Sequence, residues 1–211
     1  AAAGLCRRVY GGALAPSDDD NSLLRRMSIQ PERKQALARA AAGLVTADMT
    51  LFIDAGTTNL AIANALPHDL EITVITNAPT IAAVFLDRPT IDVVMVGGRL
   101  DKRSGGVLGA KAMQDAAGFH PDFCVLGSCG LDVMTGITAS SFEEAEFKRF
   151  IAQRSRGVIA AVTNDKLGVP AAFSVISAAA CSHVVIEHDA DDKNADAIAA
   201  LGPRMIRAAN P

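Results

Sequence analysis

The four cysteines of this 211-residue chain, at positions 6, 124, 129 and 181, form no CxxC pair. Without that spacing there is no zinc ribbon or dithiol redox motif to read, and small thiols with apolar neighbours are ordinarily core residues. The four histidines, His68, His120, His183 and His188, fall in no metal-ligand spacing and near no serine elbow. A zinc hydrolase or a Ser-His-Asp enzyme therefore lacks its parts. Neither GxGxxG nor a GxxxxGK motif ending in Ser or Thr occurs, which speaks against the common dinucleotide and nucleoside-triphosphate folds. No apolar run approaches the roughly 20 residues of a membrane-spanning helix. The opening Ala1-Ala2-Ala3-Gly4-Leu5-Cys6-Arg7-Arg8 lacks the charged-then-apolar order of a signal peptide, so a cytoplasmic location is expected. Basic excess is missing too: a formal charge of −3 argues against this stretch alone binding nucleic acid strongly.

What is present is an apolar half and a charged fifth, enough for one large domain or one domain with a small addition. Arg7 to Leu14 reads as a small strand pair turning at Gly11-Gly12, and Ala15 to Ser22, with Pro16 and three successive aspartates, has linker character. This predicts a division into residues 1–26 and 27–211, with the boundary near Met27. From Pro31 a helix is expected, with Leu37, Ala41, Leu44 and Val45 on one face. Strand and helix patterns then alternate: strands at 50–54, 72–76, 91–96, 122–127, 157–162 and 183–187, helices at 58–66, 78–86, 108–117, 142–155 and 192–201. The alternation predicts an α/β fold, a mainly parallel sheet with helices on both faces and ligands at the carboxyl ends of its strands.

Three of those strands run into glycine or hydroxyl turns. Asp54-Ala55-Gly56-Thr57-Thr58 offers a glycine for close backbone approach, two hydroxyls and the positive end of the next helix, the requirements of a phosphate site. The plain alternative is a strand-to-helix turn capped by Thr57 or Thr58. Asn77 ends the second strand, where it could bridge two loops or bond a sugar hydroxyl. Gly97-Gly98-Arg99 opens a segment with four glycines and three cations before Val107, suited to closing over an anion. Segment 97–107 is the candidate mobile element, while Lys102 and Arg103 individually read as solvated. Beyond the strand at 122–127, Glu144 and Lys148 share a helix face. They form either a surface ion pair or, if that face looks into the pocket, a phosphate ligand and its orienting partner. Lys166 is a further candidate, weighed against a solvent-facing turn lysine.

The order LFIDAGTTN, TVITNA, VVMVGGRL, GGVLG, DFCVLGSCGLD, GIT, EEAEFKR and DKLG resembles the sugar-phosphate-sensing domain of the DeoR family of bacterial transcriptional regulators, from Arg33 to Glu187. The spacing through RLDKRSGGVLG and FEEAEFKRFIAQRSR resembles most the glycerol-3-phosphate regulon repressor branch. The resemblance implies a fold like ribose-5-phosphate isomerase and the CoA transferases. It implies that RRVYGGAL is the last strand region of a winged helix-turn-helix reader whose preceding residues are absent here. It also implies a phosphorylated effector held by Gly56, Thr57 and Thr58, with Asp54, Asn77, Gly97, Gly98 and Arg99 lining the pocket and Glu144, Lys148 and Lys166 closing it. Operator DNA would be bound through the missing reader, in a homo-oligomer, with no membrane, metal or cofactor. The chain departs from the family at Thr163, usually aspartate, and Asp165, usually serine. The acid and base that the isomerases need are missing from Gly127-Ser128-Cys129-Gly130 and Gly136-Ile137-Thr138, so binding without turnover is expected. The competing expectations are a sugar-phosphate isomerase-like enzyme and a pure oligomerisation scaffold.

Overall fold

The computed structural model describes residues 7–9, 12–14 and 23–211, without the side chains of 7–9, 12–14 and Leu24. It begins with an antiparallel pair, β1 (Arg7–Val9) and β2 (Gly12–Leu14), in the region where a strand pair was expected. The expected linker at 15–22 lies outside the described residues. Two helices follow, α1 (Leu23–Ser28) and α2 (Pro31–Ala42). Pro31 occupies the first turn of α2, where its missing N–H costs nothing.

From there the chain alternates: β3 (Thr50–Ile53), α3 (Thr57–Ala65), β4 (Ile72–Thr76), α4 (Pro79–Val84) and β5 (Ile91–Met95). The glycine-rich segment forms an antiparallel hairpin, β6 (Arg99–Asp101) with β7 (Gly106–Leu108), and α5 (Ala110–Ala116) comes after it. Next are β8 (Phe123–Leu126), β9 (Gly130–Asp132), β10 (Gly136–Ala139), α6 (Phe142–Arg154), β11 (Gly157–Val162), β12 (Phe173–Ile176), β13 (His183–Ile186), α7 (Asp192–Ala199) and β14 (Arg204–Arg207). Seven strands make one parallel sheet in the order β14-β13-β11-β8-β3-β4-β5. The strands β12-β10-β9 make a small antiparallel sheet beside it.

A parallel strand covered on both faces must be apolar at every position, and β11 is buried throughout. Successive side chains still point to opposite faces. Phe52 belongs to the core under α5, α6 and α7, whereas Leu51 and Ile53 belong to the core under α2, α3 and α4. Phe52 meets Phe147 of α6 with ring centroids 6.0 Å apart. The sheet order places a topological switch between β3 and β8: the chain runs outward through β4 and β5 on one side, and through β11, β13 and β14 on the other. The crevice beyond the carboxyl ends of such a pair is where open α/β sheets bind ligands.

The alternating elements stand where periodicity places them, within one or two residues at most ends. The hairpin, the small antiparallel sheet and β14 were not anticipated. β6, β7 and β9 have only three residues, and β10, β12 and β14 interrupt their apolar positions with Gly, Thr, Ser or Arg, so none shows the continuous apolar run of β3 or β8. Met27 falls inside α1.

Candidate functional site

Helix α3 starts directly at the switch. Its N-cap is Gly56, at φ 157° and ψ 152°, a backbone region that essentially only glycine adopts. No side chain caps this helix, so Thr57 and Thr58 are not N-caps. The residues of its first turn, Gly56, Thr57, Thr58 and Asn59, instead line a small cavity of about 30 Å³, where the helix dipole favours an anion. Gly127, after β8, forms the facing wall. A Cβ there would stand 2.6 Å from the Ala55 carbonyl oxygen and 2.9 Å from Asp54 Oδ2, so the two strand ends approach this closely only because residue 127 has no side chain.

Beneath this cavity lies a buried charged triad. The Lys148 ammonium donates to the Gly127 carbonyl at 2.7 Å, and it pairs with Glu144 Oε1 at 2.8 Å and Asp54 Oδ2 at 3.1 Å. Asp54 also accepts the Gly127 N–H at 3.0 Å. Burial opposes the charge on Lys148, but Asp54 and Glu144 together outweigh it and hold the lysine pKa above its ordinary value. The same ammonium outweighs the burial of Glu144 and lowers its pKa. An ammonium has three donors, and all three of Lys148's are engaged. It therefore ties α6 to the ends of β3 and β8 rather than offering a free donor to a ligand.

Free donors come from elsewhere. Lys166, in the turn after β11, faces the small cavity and an adjoining one of about 170 Å³. Its ammonium has no hydrogen-bond or ion-pair partner among the described residues. Burial lowers its pKa, helped by Arg26 and Lys148 and opposed by Asp165. Arg26 of α1 lines both cavities, as do Ser104, Ser128 and Cys129. The larger cavity adds Arg103, whose guanidinium donates to Ser140 Oγ at 3.1 Å. Counting every group as ionised, the triad carries one net negative charge and Arg26, Arg103 and Lys166 bring three positive, a formal excess of two positive charges; burial raises the Asp54 pKa and lowers that of Lys166.

Of the candidates read from sequence, Gly56, Thr57, Thr58, Glu144, Lys148 and Lys166 meet in the cleft. Asp54 lies directly behind it, 1% exposed. Asn77 is fully buried and bridges two loops: it accepts the Ala55 N–H at 3.1 Å and donates to the Val107 carbonyl at 3.3 Å. Its polar atoms are thereby occupied rather than open to a sugar hydroxyl. Gly97, Gly98 and Arg99 stand away from the cleft. Gly97 donates to the Asp115 carboxylate at 3.2 Å, Gly98 packs against Val107, and Arg99 is 84% exposed beside Glu143 at 3.6 Å. They follow β5, an edge strand two places from β3, and the hairpin they open turns Arg99 outward. Arg103, read as solvated, reaches the larger cavity. Arg26, Ser104, Ser128 and Cys129 went unassigned. Ser128-Cys129 could have been found from their position just after the apolar run of β8. Arg26 has no local signal, because a cation ahead of a helix reads as surface.

The family described as the DeoR C terminal sensor domain matches residues 29–188. The glycerol-3-phosphate regulon repressor of Escherichia coli (strain K12) is 33% identical over 165 residues, covering 78% of this chain and 66% of its own length. This chain thus spans about two thirds of that relative. The HTH-type transcriptional regulator GolR of Listeria innocua is 31% identical over 180 residues, covering 83% of this chain and 70% of its own. Among solved structures, a probable sor operon regulator from Shigella flexneri shares the fold. Its TM-score is 0.53 over 80% of this chain and 88% of that one, at 9% identity. Parallel sheet, switch-point crevice and matched span agree, and this chain belongs to the DeoR family through its C-terminal sensor domain.

Proposed function

We propose that the cleft between β3 and β8 binds a phosphorylated polyol or sugar, with glycerol 3-phosphate the first candidate, and that the chain is the effector-sensing part of a bacterial transcriptional repressor. The observation that carries this reading is the match of charge to geometry. A phosphate monoester carries about −1.5 to −2 charges near pH 7, and the cleft presents a formal excess of two positive charges around an uncapped helix N-terminus. The phosphate would lie on the N–H groups of Gly56, Thr57 and Thr58 with Lys166 beside it. The polyol would occupy the larger cavity among Ser104, Ser128 and Ser140. Lys148, Asp54 and Glu144 hold the two walls in register. The similarity to the glycerol-3-phosphate regulon repressor of Escherichia coli supports glycerol 3-phosphate as the first compound to try.

A bound effector can shift an equilibrium only through different affinity for its two states. It would therefore favour one arrangement of protomers in a homo-oligomer and so raise or lower operator binding by a winged helix-turn-helix of which β1 and β2 form the last strands. We place the division between reader and sensor ahead of α1 rather than near Met27, because α1 packs against the cleft. The reaction class is binding, with no chemical step. Calorimetric titration of the chain with glycerol 3-phosphate, ribose 5-phosphate, fructose 1-phosphate and inorganic phosphate tests this. Saturable binding selective for one phosphate ester is the expected result; no binding by any of the four would remove the reading, and turnover of ribose 5-phosphate would replace it with the isomerase alternative.

A further inference from the structure

We infer that Arg26 is itself an effector ligand, delivered by the segment through which the chain enters the sensor domain, so that α1 carries occupancy of the cleft toward the β1–β2 pair. This rests on the proposed reading of the cleft as the effector site. Helix α1 stands outside the alternating strands and helices, yet its side chains close the mouth of the cleft. Leu23 packs against Gly105 at the hairpin tip, where an added Cβ would lie 2.5 Å from Leu23 Cδ2. Arg26 Nη2 donates to the Arg103 carbonyl at 2.7 Å and approaches that of Ser104 at 3.5 Å. Its Nε is buried with no hydrogen-bond partner among the described residues. A guanidinium presents five donors in a planar fork suited to two phosphate oxygens at once. Here a buried donor lacks an acceptor in a side chain that lines both cavities, and an unpaired buried N–H carries a free-energy cost that an arriving oxyanion removes.

The neighbouring charges give the helix a reason to respond. Lys34 of α2 is buried and donates to the Arg26 carbonyl, joining the two helices. Its pKa is pushed down to about 8, by burial first and then by Lys166 and Arg26, with Asp165 opposing. Three cations thus gather where α1 meets the cleft, with the exposed Asp165 facing them from the turn after β11 and Glu144 from α6. Docked α1 is held against mutual repulsion until an anion enters, so the ligand binds the docked arrangement better, the differential affinity that coupling requires. Eight residues separate Leu14 of β2 from Leu23, a short path for that change.

The test uses the 211-residue chain, with glycerol 3-phosphate and inorganic phosphate as probes. Binding is measured for the native chain and for Arg26→Gln, Arg26→Lys and Thr57→Val. Amide exchange of residues 23–30 is followed with and without ligand at equal saturation. The expected result is at least a tenfold loss for Arg26→Gln, partial recovery for Arg26→Lys, and ligand-induced slowing of exchange in 23–30 that Arg26→Gln abolishes. Affinity within twofold of native for Arg26→Gln, with binding weakened in Thr57→Val, overturns the role of Arg26 while leaving the effector site standing. Unchanged exchange in the native chain on saturation overturns the role of α1. Binding of neither probe by the native chain removes the effector reading and the inference with it.

Discussion

The turn after β3 opens onto helix α3, whereas the turn after β5 opens onto the β6–β7 hairpin. Both carry glycines, and the second carries an arginine that suits phosphate. Yet Gly56-Thr57-Thr58 line the cleft while Arg99 stands 84% exposed beside Glu143. The difference lies in strand order. β3 has β8 on its other side, and the chain leaves these neighbours in opposite directions along the sheet so that a crevice opens beyond their ends, while β5 ends the sheet. The right residues make an anion site only where the backbone leaves a space between two strands. The lysines teach the same lesson. Lys148 sits deeper and is fully paired, whereas Lys166 lines the cleft with its ammonium unpaired among the described residues.

The contrast is most directly broken by removing Lys148. Lys148→Met should destabilise the fold by about 3–5 kcal/mol, because Asp54 and Glu144 lose the charge that allows their burial. Urea unfolding measures this, and a loss under about 1 kcal/mol would mean that the triad is not structural. Next, Lys166→Met should leave stability nearly unchanged but weaken phosphate-ester binding by about 1.5–3 kcal/mol, the range for a hydrogen bond to a charged group. Calorimetry on the variant decides, and native affinity would move the anion away from the turn after β11. Thr57→Val, which keeps shape but loses a hydroxyl, should weaken binding by about 0.5–1.5 kcal/mol without changing unfolding. Arg99→Ala should change neither property by more than about 0.5 kcal/mol; loss of binding there would restore the turn after β5 to the site.

Acidity sharpens the comparison further. The Lys166 pKa is lowered by burial and by Arg26 and Lys148 against the pull of Asp165, so without ligand its ammonium begins to lose its proton below the usual lysine range. An anion favours the charged form and raises that pKa, so binding above the lowered pKa takes up a proton and affinity falls as pH rises through it. Lys148, whose pKa is held high by two carboxylates, adds no such dependence. Titration in buffers of different ionisation enthalpy should show proton uptake that Lys166→Met reduces, the remainder belonging to Lys34, whose pKa is pushed down to about 8 beside the same cations. Uptake undiminished in the variant would assign none of it to Lys166.

The runs Leu51-Phe52-Ile53 and Gly157 to Val162 announced buried parallel strands, and the helices between them followed from their own period. Gly56-Thr57-Thr58 was legible as an anion turn because its chemistry is local, and the spacing of Glu144 and Lys148 showed that they share a helix face. Whether that face turned inward was not legible, since four-residue spacing serves a surface pair equally well. Arg26 was not legible as a site residue, because nothing within a few residues of it points to a ligand.

By itself, then, the sequence determined the α/β class, the order of the alternating strands and helices, and which turns have the chemistry to hold an anion, since each depends on neighbours within one turn or strand. Only the tertiary structure decided which of those turns adjoin, that Lys148 is consumed by Asp54 and Glu144, and that Arg26 enters the cleft from outside the alternating core. The reason is that a crossover from one strand can place the next on either side with the same local pattern. A long side chain likewise finds its partners only after strands and helices distant in sequence have packed.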